Sequence, residues 1–138
     1  MTHRHMADII RRRPVTLAAT ATVQEACRLM HEHHIGAIMV VDTNGHLEGI
    51  FTGRDVVRLL AEGKNPAHTH LHAVMTRHPE HLPPHHGMMD ALRLMHDGGF
   101  RHVPVVEHGK AVGIVSLGDF RHFEHARLDE ETGVWERL

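Results

Sequence analysis

The residues of this 138-residue chain with most chemical potential lie in Gly49-Ile50-Phe51-Thr52-Gly53-Arg54-Asp55-Val56-Val57. An apolar pair runs into a threonine, and an aspartate follows three residues later. This pattern predicts a strand ending at a helix N-terminus, with Thr52 as N-cap and the Asp55 charge on the favourable end of the helix dipole. Such a junction offers free backbone N–H groups to an anion, and Arg54 adds a planar, fork-shaped cation. A single T-x-x-D would be no more than a helix cap. Here the pattern returns as Gly113-Ile114-Val115-Ser116-Leu117-Gly118-Asp119.

That recurrence is part of a duplication. Arg28-Leu29-Met30-His31 reappears as Arg93-Leu94-Met95-His96, about 65 positions on, and the same spacing relates Pro14 to Pro79, Leu17 to Leu82 and Val40-Val41 to Val105-Val106. The spacing shortens by one after Asp42-Thr43-Asn44-Gly45, so that Asp55 matches Asp119. A one-residue deletion in the second turn accounts for the step. Checking for repeats precedes any other reading of a fold.

Both copies read alike. In the first, Met6–Ile10 is expected to form a short lead-in helix and Pro14–Leu17 an extended piece. Thr22-Val23-Gln24-Glu25 has the form of a capping box. It opens a helix whose apolar stripe is Val23, Ala26, Cys27 and Met30. Ile35–Val41 and Leu47–Phe51 read as strands joined at Asn44-Gly45, a strong turn signal, and a helix is expected from Gly53 to Ala61. In the second copy, Leu71–Thr76 leads in and Pro79–Leu82 is extended. A helix over His86–Asp97 ends at Gly98-Gly99, Arg101–Glu107 and Ala111–Ser116 form a hairpin through His108-Gly109, and a last helix runs to about Arg127. The expected organisation is residues 1–61 as the first repeat, 62–70 as a linker, 71–127 as the second repeat and 128–138 as a tail. Trp135 in that tail is expected to dock on a dimer partner.

Composition narrows the function classes. No apolar run approaches a membrane span, and the N-terminal Met1-Thr2-His3-Arg4-His5 lacks the apolar core of a secretion signal. With a single cysteine, Cys27, a reducing cytoplasm is the expected location. The net charge of −2 offers no basic face for nucleic acid. The 18 histidines are unusual: protonating them would turn the chain strongly positive. His68, His70 and His72 alternate, which on an extended chain would put three imidazoles on one side. His31, His33 and His34 cluster, as do His81, His85 and His86. Metal sites usually draw on fixed elements and on Cys or carboxylate partners, so no metal site is expected. There is no phosphate loop of the P-loop or Rossmann type and no nucleophile elbow, and Cys27 lies on an apolar stripe. An enzyme is not expected.

The unit of lead-in helix, short strand, helix, apolar strand, turn, strand, Thr/Ser-x-x-Asp and helix resembles the CBS domain, named after cystathionine beta-synthase. The resemblance covers residues 6–125 in both copies. It rests on Ile9-Ile10 and Val74-Met75-Thr76, on His34-Ile35-Gly36-Ala37 and Arg101-His102-Val103-Pro104, and on the two Gly-apolar-apolar-Thr/Ser-x-x-Asp junctions. It implies an α/β (α+β) fold of two β-α-β-β-α repeats packed with pseudo-twofold symmetry, commonly assembled as a homodimer. It also implies an adenine nucleotide (AMP, ADP, ATP or NAD-like) as regulatory ligand rather than cofactor, bound between repeats that act on a protein target. By this resemblance one cleft joins Thr52, Arg54 and Asp55 to Val74, Met75, Arg101 and His102. The other joins Ser116 and Asp119 to Ile10, Ile35 and Gly36, with His34 nearby. The first offers two guanidiniums. The second is expected to have Gly118 at the place of Arg54 and His34 at the place of Arg101, and so to bind less tightly. The competing readings are a histidine-mediated metal- or pH-responsive protein and a purely structural dimerisation module.

Overall fold

The computed structural model describes residues 14–119. The expected lead-in helix Met6–Ile10, most of the last helix and the tail with Trp135 lie outside the described residues.

The first copy comprises β1 (Thr16–Leu17), α1 (Val23–His33), β2 (Ala37–Val41), β3 (Leu47–Thr52) and α2 (Gly53–Ala61). α1 starts where the capping box places it: the Glu25 N–H donates to Thr22 Oγ1 at 3.1 Å, and the Thr22 N–H donates back to Glu25 Oε1 at 3.4 Å. Its stripe buries Val23, Ala26 and Met30 against Ile38, Val40 and Phe51. Cys27 is only partly covered by this core, and burial pushes its thiol above the ordinary range.

After α2 come β4 (Thr76–Arg77), α3 (Met88–Gly98), β5 (His102–Glu107) and β6 (Lys110–Ser116). A smaller core of Ala91, Met95, Val103, Val105 and Val115 holds the second copy. α3 stops at Gly99, whose φ of 73° is the left-handed cap geometry that glycine adopts without strain. The duplication is visible in the register. Leu17 pairs in parallel with Val40, and Leu82 with Val105. The deleted residue is visible too. In the first turn the Asp42 carboxylate accepts from the N–H groups of Asn44 and His46, both at 2.9 Å. The second is a two-residue turn with positive φ at both His108 and Gly109. The turns meet, with Ala111 N–H donating to Gly45 O at 3.0 Å and Leu47 N–H to Gly109 O at 3.3 Å.

The segment between the copies is tied to the first. Pro66–His68 and Leu71–Ala73 form single 3₁₀ turns, and residues 69–72 run back along 19–23. Val23 N–H donates to Thr69 O, and Leu71 N–H to Ala21 O, both at 2.9 Å. Leu71 is fully buried in the first core together with Val74. The 3₁₀ turns also break the extended spacing expected for His68, His70 and His72. Only the His70 and His72 rings stack, 5.5 Å apart, and the His70 Nδ1 bonds Thr20 O at 2.7 Å.

β4 then adds to the first copy's sheet, giving the order β1-β2-β3-β4. Its pairs are Gly49 with Arg77 and Ile50 with Thr76. The lead-in to one copy thus becomes an edge strand of the other. Gly49 permits this approach: a Cβ there would lie 2.6 Å from Met75 Sδ and 2.8 Å from the Thr76 carbonyl oxygen. Replacing glycine by alanine ordinarily stabilises a protein slightly through the unfolded state. Gly49→Ala is expected to do the opposite and lower unfolding stability by about 1–3 kcal/mol, the typical cost of overpacking. Urea denaturation measures this, and an unchanged or raised midpoint would contradict the β3–β4 packing.

Candidate functional site

β3 runs extended to Thr52 (φ −128°, ψ 171°), and α2 starts at the next residue. Asp55, in the first turn, folds back. Its Oδ2 accepts the Thr52 N–H at 2.9 Å and the Thr52 hydroxyl at 3.4 Å. Its Oδ1 lies 3.2 Å from Arg58 Nη2. Asp55 is the one buried charged side chain among the described residues, at 5 % exposure. A buried carboxylate without partners would carry a large desolvation cost, and these three donors offset it. The second junction closes the same way, with the Ser116 N–H donating to Asp119 Oδ2 at 2.8 Å and the Asp119 N–H to Ser116 Oγ at 3.2 Å. Asp119, however, is exposed.

The Asp55 junction forms one wall of a cavity of about 640 Å³, within the range of small-molecule sites. This wall is Thr52, Gly53, Arg54, Asp55 and Arg58, with Gly36 and Ile50 beside it. A second wall is Thr76 and His78–Glu80, the stretch that follows β4. The third, Gly98–His102, brings the end of α3 and the start of β5 from the second copy. Arg54 reaches across, its Nη1 donating to the Gly99 carbonyl at 3.4 Å, at the C-terminal end of the α3 dipole. Three guanidiniums, from Arg54, Arg58 and Arg101, thus border one space with a helix N-terminus and a carboxylate. Such a constellation can hold a phosphate while the carboxylate accepts hydroxyls.

The structure brings Thr52, Arg54, Asp55, Arg101 and His102 into this cavity, and Gly36 with them. Val74 and Met75 are not on its lining. Val74 is buried in the first core and Met75 packs against it, because their segment covers that core before β4 begins. The Val74 carbonyl nevertheless accepts from Arg58 Nη2 at 2.8 Å. Ile35 packs on the first core, Ser116 and Asp119 do not line this cavity, and Ile10 is outside the described residues.

One expected equivalence is corrected. His34 does not stand at the place of Arg101. It is the left-handed C-cap of α1 (φ 55°), the counterpart of Gly99. Gly36 is the counterpart of Arg101. Its carbonyl accepts the Gly53 N–H at 3.2 Å, as the Arg101 carbonyl accepts the Leu117 N–H at 2.8 Å. Ala37 pairs with Thr52 as His102 pairs with Ser116. At the positions equivalent to Arg54 and Arg101 the chain therefore carries Gly118 and Gly36.

Sequence reasoning missed Arg58, Thr76, His78, Pro79, Glu80 and Phe100 on the lining. For Arg58 a signal existed: it stands three residues after Asp55 and four after Arg54, on one helix face. Among the described residues no group of three or more His, Cys, Asp or Glu is placed to hold a metal ion, and no helix is long and apolar enough to cross a membrane.

Comparison with known proteins gives the same frame. The family model of the CBS domain matches residues 6–62 and again 71–126. The CBS domain-containing protein CBSCBSPB2 of Arabidopsis thaliana is 36% identical over 104 residues. The match takes in 75% of this chain, and the chain spans only 19% of that relative. The CBS domain-containing protein YhcV of Bacillus subtilis is 36% identical over 113 residues, 81% of this chain and 79% of that protein. Among solved structures, the CBS domain pair of protein MJ0100, in complex with 5′-methylthioadenosine and S-adenosyl-L-methionine, superposes with a TM-score of 0.85. It is 25% identical and covers 91% of this chain and 99% of its own.

His102 sits between the two junctions. A Cβ on Gly36 would lie 3.4 Å from its Nε2. Burial is the largest influence on its imidazole and pushes it below the ordinary 6.5. The Asp119 charge opposes that shift and the Arg101 charge adds to it. The unfolded chain therefore binds this proton more readily than the folded one. The stability contribution is complete above about pH 6.5 and is lost as pH falls through the lower folded-state value. In thermal unfolding, His102→Asn is expected to lose less of its midpoint than the wild type between about pH 7.5 and 5.5. Equal losses would count against a half-buried neutral imidazole.

Proposed function

Because this chain belongs to the CBS-domain family and carries the domain twice, we propose that its Asp55 cleft binds an adenosine-containing ligand, preferentially a phosphorylated one such as AMP. The observation that carries this reading is the cavity itself, in which a buried carboxylate at a helix N-terminus faces three guanidiniums drawn from both copies. In this reading Asp55 takes the ribose hydroxyls, and Arg54 and Arg101 take the phosphate. The ligand pair in the MJ0100 structure shares adenosine and carries no phosphate. The arginines are what favour a nucleotide here.

The proposed action is regulatory. A ligand touching both repeats favours one relative arrangement of them, and only its difference in affinity between arrangements can shift their populations. The output would pass to a protein target in the cytoplasm, with the module acting as a homodimer. The chain spans about a fifth of the Arabidopsis relative's length, so the target of a whole protein of that kind is part of the proposal.

Isothermal titration of AMP and adenosine into wild type, Arg54→Ala and Asp119→Ala tests the site. A charge-assisted hydrogen bond contributes about 1.5–3 kcal/mol. Arg54→Ala should therefore weaken AMP by roughly 10–100-fold, with Asp119→Ala leaving it nearly unchanged. Equal losses in both variants, or a loss confined to Asp119→Ala, would contradict the preference for the Asp55 cleft.

A further inference from the structure

We propose that Arg58 is a positioning residue for this site: it fixes the Asp55 carboxylate for a vicinal diol and does not itself bind the ligand's phosphate. The inference rests on the adenosine reading of the cleft.

A carboxylate offers about four lone-pair positions. In Asp55 two are in use by hydrogen bonds to Oδ2, from the Thr52 N–H at 2.9 Å and the Thr52 hydroxyl at 3.4 Å, and the Oδ1 side is taken up by the ion pair with Arg58 Nη2 at 3.2 Å. The hydroxyl contact is the longest, and a hydroxyl rotates freely, so it yields first. The carboxylate then has two positions open, the number that the two adjacent hydroxyls of a ribose require. The Thr52 backbone bond and the Arg58 ion pair that remain hold one oxygen each and set the plane of the carboxylate.

Arg58 is not free to follow a phosphate. The nitrogen that meets Asp55 also donates to the Val74 carbonyl at 2.8 Å, just ahead of β4 and of the His78–Glu80 wall. One guanidinium thus ties the diol acceptor to the segment that leads into the Thr76 and His78–Glu80 part of the lining. Arg54 differs, since its bond to the Gly99 carbonyl is a long 3.4 Å contact. A planar fork can serve two acceptors at once, whereas a lysine ammonium in its place would be a point charge on a flexible stem.

The test is isothermal titration of AMP, 2′-deoxy-AMP and adenosine into wild type, Arg58→Ala, Arg58→Lys and Arg54→Ala. Arg58→Ala is expected to weaken AMP and adenosine by the same factor, roughly tenfold. It should also reduce the preference for AMP over 2′-deoxy-AMP towards unity. Arg58→Lys should restore part of both, and Arg54→Ala should weaken AMP alone. A cleft merely loosened by the mutation would lose affinity for AMP and 2′-deoxy-AMP alike, leaving the preference unchanged, and that result overturns the positioning role. So does a loss for AMP that spares adenosine, which would make Arg58 a phosphate ligand. Wild-type protein that binds none of the three compounds overturns the adenosine reading as well, and so is distinguishable from failure of the Arg58 role alone.

Discussion

The pairing of β4 with β3 is the constraint on which the site depends. It requires two backbones to meet at Gly49, in space that any side chain there would occupy. Through this contact the stretch leading into the second copy becomes an edge of the first copy's sheet. Leu71 and Val74 are then buried in the first core, the Val74 carbonyl is presented to Arg58, and His78–Glu80 join the Asp55 junction on the lining of one cavity. The cleft is therefore not a gap left between two finished units. It is built by one copy's lead-in segment lying on the other copy's sheet.

Within that frame the two junctions share a local chemistry and differ in surroundings. Each closes a backbone N–H onto an aspartate three residues on. Among the described residues, only Asp55 of the two is buried, and only it has a guanidinium on its outer oxygen. Taking a carboxylate out of water is tolerable where donors replace the water, and the same donors hold it in one orientation. The corrected equivalence of Gly36 with Arg101 widens the difference, since two glycines stand where the first cleft has two arginines. Duplication supplied two similar turns, and a few side chains give them different surroundings.

Much of this was legible in the sequence, for reasons that can be named. Helix starts at Thr22 and Thr52, the turn at Asn44-Gly45, the stop at Gly98-Gly99 and the hairpin at His108-Gly109 are set by short-range backbone chemistry. The repeat spacing carried them from one copy to the other. What the sequence hid depends on contacts distant along the chain. Val74 and Met75 sit among apolar neighbours that could cover a core or line a cleft, and only the β3–β4 register decides for the core. Arg58 looks like one more solvated helix arginine until the Val74 carbonyl is brought to it. The His68, His70 and His72 alternation implied a common face only for extended chain, which the two 3₁₀ turns remove. The misplacement of His34 came from matching polar residues by type where the strand register places Gly36.

The central claim is that an adenosine ligand spans the two copies at the Asp55 junction. A crystal structure of the full chain grown with AMP tests it most directly. The account predicts the ribose hydroxyls on the Asp55 carboxylate, the phosphate between Arg54 and Arg101, and Arg58 still ion-paired with Asp55 and hydrogen-bonded to the Val74 carbonyl. A nucleotide seated only at Ser116 and Asp119, or an Asp55 cleft empty at saturating AMP, would contradict it.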